Sequence, residues 1–305
     1  MSPTPAIRPV LAVVTAAVLW GTSGVVGRSL NESGVPPLTV AALRVVIAAT
    51  VLVAVPRLRP AAAHRLPRRS PVVIGVGVLL AIYQATFFAA VPLVGVTVAT
   101  MVSLGAAPIV TAAVGPLVGD TRAGVATWTA VLLGALGVGL LSGGGGTSLG
   151  WAAVGGAGLA LVAGSGYAGV TLLGRHARDA VPGALVTAAF PVAAVVLLPA
   201  LVGLAGAELD GGDVAAIAYL GTAPTALAYA LFFGGVARIP AATASTITLL
   251  EPLTATVLAA AIFGEALSPV GVAGAILVVL AGGLAVRAAL PRRTTARTPA
   301  GVPDR

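Results

Sequence analysis

The chain has 305 residues, of which 58% are hydrophobic and only 9% charged, with a mean hydropathy of +1.06 and a net charge of +8. Soluble domains carry roughly 25% charged residues, so this composition excludes a soluble fold. The chain has no cysteine, which also excludes disulfides, thiol catalysis and thiolate metal sites.

All 17 basic residues are arginine. They fall in the connections between apolar runs rather than on one soluble face, so no nucleic-acid partner is expected. A lysine-free chain heavy in Ala, Gly and Val reads as the product of a GC-rich bacterial genome. A membrane-spanning helix needs ~20 mostly apolar residues. Taken in chain order, apolar runs fall at about 10–27, 37–55, 72–91, 95–117, 124–141, 150–173, 183–204, 213–235, 241–263 and 269–288. Turn signals separate them: Pro36-Pro37, Pro56, Pro71, Gly95, the Ser142–Gly146 run, Pro182, Gly211-Gly212, Pro240 and Pro269. The first run stands where a signal peptide would, but it is too long and too many spans follow, so it reads as a retained helix. The expectation is an all-α integral membrane protein of ten transmembrane helices.

Arginine counts orient these runs. With the N-terminus inside, the inside segments carry fifteen: Arg8, Arg57, Arg59, Arg65, Arg68, Arg69, Arg122, Arg175, Arg178, Arg238, Arg287, Arg292, Arg293, Arg297 and Arg305. The outside loops carry Arg28 alone, while Glu208, Asp210 and Asp213 fall outside. Both termini are therefore expected in the cytoplasm, in a multi-pass protein of the bacterial inner membrane.

Sliding the chain along itself by 145 residues superimposes Gly24-Val25 on Gly169-Val170, Pro37 on Pro182, Phe87-Phe88 on Phe232-Phe233, Gly119-Asp120 on Gly264-Glu265, and Gly137 on Gly282. Pro108 and Pro252 match at 144. Five helices per half is an odd number, so the second half must be inverted, a recurring build for secondary transporters. The expected parts are a cytoplasmic N-terminus (1–9), a first repeat (10–141), a Gly-rich outside linker (142–149), a second repeat (150–288), and a basic, disordered cytoplasmic tail (289–305). The linker lacks the Lys-Ser/Thr of a phosphate-binding loop.

The run Leu19-Trp20-Gly21-Thr22-Ser23, an arginine inside the second run (Leu43-Arg44), and Leu250-Glu251-Pro252 leading to Gly264-Glu265 resemble the EamA family of the drug/metabolite transporter superfamily. The resemblance covers residues 8–288. It implies ten helices in two inverted five-helix repeats and, commonly, export of amino acids, nucleobases or other small metabolites. Family members often carry Lys shortly after the first motif, where this chain has Arg28.

Two ionisable residues lie well inside the apolar runs, Arg44 and Glu251. A charge at the bilayer centre costs at least ~2.5 kcal/mol, so each must face protein or water. One reading is a central cavity where Glu251 carries a proton or meets a cationic group and Arg44 meets a carboxylate; the other is that they only fix helix packing. Pro252 removes a backbone donor and frees the Thr248 carbonyl beside Glu251. Helical spacing adds Thr222, Thr225, Tyr229 and Phe233 on one face of the eighth run, and Thr97, Thr100 and Thr111 on the fourth. Trp20, Ser23, Tyr83 and Gln84 complete the candidates, so the expected substrate-binding set is Trp20, Ser23, Arg44, Tyr83, Gln84, Tyr229, Thr248 and Glu251, with Glu251 also proton-coupling. Asp120 and Glu265 read as loop acids that cap or pair at helix ends. His64 and His176 read as solvated, and Trp128 and Trp151 as interfacial belt residues.

The function expected is a secondary transporter of a small metabolite or drug, by alternating access and in the export direction. An intramembrane enzyme lacks candidate groups here, and a structural or sensory subunit would normally add a soluble domain; no catalysis, metal or cofactor is expected. The expected partners are a small-molecule substrate and the lipid bilayer, and a homodimer is compatible with the sequence.

Overall fold

A computed structural model describes residues 7–58, 70–141, 151–176, 182–205, 207–264 and 268–289. All secondary structure among them is helical. The helices are α1 (Ile7–Glu32), α2 (Pro37–Leu58), α3 (Pro71–Val114), α4 (Val125–Leu141), α5 (Trp151–His176), α6 (Pro182–Leu197), α7 (Gly211–Gly221), α8 (Ala228–Val236), α9 (Ala241–Ile247), α10 (Leu250–Phe263) and α11 (Pro269–Ala289). The expected linker and tail, the Arg-rich loop after α2, His64 and Glu265 lie outside the described residues.

The starts of these helices are written locally. Proline stands at the first position of α2, α3, α6 and α11, where its missing N–H would have had no partner and its fixed φ suits a helix. The start of α7 is a capping box: Asp210 accepts from the Asp213 N–H at 2.8 Å and the Asp213 carboxylate accepts from the Asp210 N–H at 3.2 Å. Each bond satisfies a donor that the first turn leaves free.

Eight helical stretches are long and apolar enough to cross a membrane: Ile7–Gly27, Pro37–Val55, Pro71–Val118, Trp151–His176, Ala184–Leu204, Gly211–Val236, Ala241–Ile262 and Pro269–Ala289. Val125–Leu141 is apolar but shorter, at 17 residues. The third and fourth expected runs form one stretch of 48 residues, interrupted at Gly95 with φ 76° and ψ 157°. That conformation is essentially reserved for glycine. Both arms of α3 lie along α5 and diverge from this residue: Val94 packs at Gly156, Leu79 at Gly169, and Ser103 at Gly164. Pro108 does not break α3, whose remaining backbone is helical. Its apparent counterpart Pro252 does coincide with a break, at Thr248 and Leu249 between α9 and α10.

The packing pairs α1 with α8 and α10, α5 with both arms of α3, α2 with α6, and α4 with α11. Small residues permit the closest contacts. At Gly137 an added Cβ would stand 2.9 Å from the Gly274 carbonyl oxygen, so the α4 and α11 backbones touch, as small-residue helix interfaces in membranes do. One end of the bundle, the near end, gathers the start of α1 against the end of α8, through Gly235 beside Pro9 and Val13. The opposite, far end joins α2 to the segment after α6 by the Thr39 hydroxyl on the Ala200 carbonyl at 2.9 Å, and Ser33 to Asp213 at 2.8 Å.

Candidate functional site

The interior of the bundle is an aromatic box with charges in it. Trp20 on α1 meets Tyr229 and Phe232 on α8 at ring separations of 4.9 and 5.3 Å, and Tyr167 on α5 at 6.1 Å. Tyr83 on α3 meets Tyr167 at 5.4 Å. These are edge-on or tilted contacts in the range where aromatic pairs attract. Arg44 on α2 and Glu251 on α10 lie within electrostatic reach of each other and of Tyr83 and Tyr229, and Glu251 also acts on Tyr167.

Three local devices place these groups. Pro224 has no N–H for the Leu220 carbonyl, and the chain answers with a π-helical segment, Thr222–Leu227. The freed Leu220 carbonyl is recaptured by the Thr225 hydroxyl at 2.6 Å. Such π segments recur at functional sites, and this one abuts α2, where Gly221 lies against Ile47 and the Arg44 carbonyl. The second device is the break before α10: the Thr248 carbonyl that Pro252 frees accepts from the Glu251 N–H at 2.9 Å. The third is Gly21, where an added Cβ would stand 2.5 Å from Thr254 and 2.7 Å from the Glu251 carbonyl oxygen. Only glycine lets α1 approach α10 this closely, at the residue that follows Trp20.

Buried polar atoms, three of them on the box residues Trp20, Arg44 and Tyr167, are left without close hydrogen-bond partners. Among the described residues, the buried side-chain atoms with no hydrogen bond are Trp20 Nε1, Ser23 Oγ, Arg44 Nε, Gln84 Nε2, the Tyr167 hydroxyl and Ser245 Oγ. An unsatisfied buried donor costs ~1–3 kcal/mol, and groups of this kind call for an explanation such as a binding role. Arg44 and Glu251 form no ion pair; the ion pair among the described residues is Arg175 with Asp120.

Of the predicted residues, Trp20, Arg44, Tyr83, Tyr229 and Glu251 are brought together. Thr248 joins them beside Tyr167, although its hydroxyl is spent on the Ser245 carbonyl at 2.8 Å. Ser23 lies one turn past Trp20, and Gln84, 2% exposed, follows Tyr83. Of the expected eighth-run face, Thr225, Tyr229 and Phe233 are buried, while Thr222, at the start of the π segment, is exposed and back-bonded to the Ala218 carbonyl. Thr97 is exposed too, and Thr111 is bonded to the Ala107 carbonyl. Tyr167 and Ser245 were not among the predicted residues. A signal for Tyr167 existed, since the 145-residue offset lays it on Thr22 inside the Trp20–Ser23 motif.

A groove of about 440 Å³ between α2 and α6 is separate from this box and lined by apolar residues such as Val46, Val53, Pro191 and Leu198. Among the described residues no group of acidic, histidine or cysteine side chains is suited to a metal.

Comparison with known proteins places the chain among transporters. Residues 7–143 and, separately, 154–287 match the EamA-like transporter family. The chain is 34% identical over 286 residues to the uncharacterized transporter YwfM of Bacillus subtilis (strain 168), covering 93% of this chain and 94% of the relative. A crystal structure with 22% identity superimposes at a TM-score of 0.78 over 92% of this chain and 97% of the other, a likeness of fold.

Proposed function

Because the chain belongs to the EamA-like transporter family, we propose that it is a secondary transporter that exports a small metabolite or drug by alternating access. The observation that carries this reading is the pair Arg44 and Glu251, two unpaired opposite charges inside one aromatic box. Membrane proteins keep such charges where substrates or ions pass. The box suits a compound with a flat apolar body and both an acceptor and a donor, as an amino acid, a nucleobase or an amphipathic drug has. Glu251 is the proposed proton carrier.

The same reading has ten crossings in two inverted repeats, with both termini in the cytoplasm of a bacterial cell. The 48-residue stretch at 1.5 Å per residue would be about 72 Å long, more than twice a hydrocarbon core of ~30 Å, so it crosses twice, turning at Gly95. The family matches twice along the chain, and the left-handed glycines Gly119 and Gly264 stand 145 residues apart, which supports the duplication. The packing supports it further: α1 on α8 and α10 is the counterpart of α5 on the two arms of α3, while α2–α6 and α4–α11 are self-paired.

The test is counterflow into proteoliposomes preloaded in turn with amino acids, nucleobases and amphipathic cations. Saturable exchange of at least one class above protein-free vesicles is the expected result. Flux no greater than in protein-free vesicles across the whole panel would refute the proposal.

A further inference from the structure

A second charged cluster stands at the near end, away from the aromatic box. Asp120 follows the left-handed Gly119 that ends the 3-10 turn after α3. Its side chain is 4% exposed and that of Arg175, at the end of α5, is 18% exposed. One Asp120 oxygen, Oδ1, accepts from Arg175 Nε at 3.4 Å, and the other, Oδ2, accepts from the backbone N–H of Ala241 at 2.9 Å. Arg175 also donates through Nη1 to the Ala237 carbonyl at 2.6 Å. The turn after α3, the last turn of α5, and the α8–α9 turn on both its sides are thus held by two side chains. Asp120 comes from the first family-matched half and its partners from the second.

The short helix α9 connects this cluster to the aromatic box. Its seven residues, ~10 Å of helix, are all buried. It starts at Ala241, which Asp120 holds, and ends at the break that carries Thr248, with Glu251 just beyond. A turn at one end and a break at the other leave α9 bounded by the two backbone joints about which it could pivot.

We propose that Asp120 is a positioning residue of the transport cycle: its clasp on Arg175 and on the Ala241 N–H closes the box to the near end, and its release lets α9 swing away and open the box on that side. The role in transport rests on the transporter reading above; the conformational change does not.

The absence of cysteine makes the test direct. Thr243, 1% exposed on α9, is changed to cysteine, a near-isosteric reporter. Its reaction with a membrane-impermeant maleimide is then timed in right-side-out and inverted vesicles holding the full chain. Adding Asp120→Asn or, separately, Arg175→Gln is expected to speed labelling about tenfold, an equilibrium shift of ~1.4 kcal/mol, from the near-end side only. A rate unchanged in both variants, or a rise from both sides as general loosening would give, overturns the clasp. A near-side rise in a chain that exchanges no compound upholds the clasp and defeats the transporter reading instead.

Discussion

Tyr167 has its ring packed on Trp20, Tyr83 and Phe232, while its hydroxyl lies beside Thr248, whose own hydroxyl donates to the Ser245 carbonyl. Packing and polarity are therefore separable at this residue. Tyr167→Phe keeps the ring and removes a hydroxyl whose neighbour Thr248 is already bonded to Ser245, so the fold is expected to change in stability by no more than about 1 kcal/mol. If the hydroxyl meets substrate, the apparent affinity falls about tenfold, the ~1.4 kcal/mol of one lost hydrogen bond. Equilibrium binding measured beside thermal unfolding checks both arms. Unchanged binding would remove Tyr167 from the site. The charged members were legible in the sequence because an ionisable residue is conspicuous in an apolar run. Tyr167 and Ser245 were not, because a tyrosine or serine in a membrane helix more often satisfies packing than a ligand. Which of them is unpaired is decided by neighbours on other helices.

At the scale of the helices, apolar run length and proline position gave most boundaries to within a few residues: the ninth run at 241–263 appears as Ala241–Phe263, and the tenth at 269–288 as Pro269–Ala289. The internal irregularities were harder. Pro224 and Pro252 produce a π segment and a break, whereas Pro108 leaves α3 helical. Local sequence does not distinguish them, because what recaptures the freed carbonyl is a nearby hydroxyl or N–H that depends on the turn's final geometry. The proposed reversal at Gly95 rests on one residue and is directly testable. Nothing lies within 4 Å of an added Cβ there, so Gly95→Ala acts through φ 76° alone. It is expected to cost ~1–3 kcal/mol and lower the unfolding midpoint in detergent. Gly27→Ala, equally open but helical, is expected to be neutral or to stabilise by ~0.5–1 kcal/mol. Equal effects of the two would show that Gly95 is not the hinge of a reversal.

For the whole molecule, the repeat offset and the arginine asymmetry make one geometric statement about which side each loop faces. Glu208 precedes α7 and Arg238 follows α8, and both are exposed. Cysteines placed singly at these two positions are expected to react from opposite faces of the membrane, with Arg238 facing the cytoplasm. Reaction from the same face would break the assigned alternation. The Asp120–Arg175 cluster and the aromatic box are joined by α9, which starts at Ala241 and ends at the break before Glu251.

In the proposed cycle, substrate and proton meet at Glu251, within electrostatic reach of Arg44. It is tested by substrate flux into proteoliposomes with and without an imposed pH gradient, for the intact chain and for Glu251→Gln. The gradient is expected to accelerate flux through the intact chain, and the variant, folded and inserted normally, is expected to lose that acceleration. A variant that transports at the original rate with the same response to the gradient would contradict it.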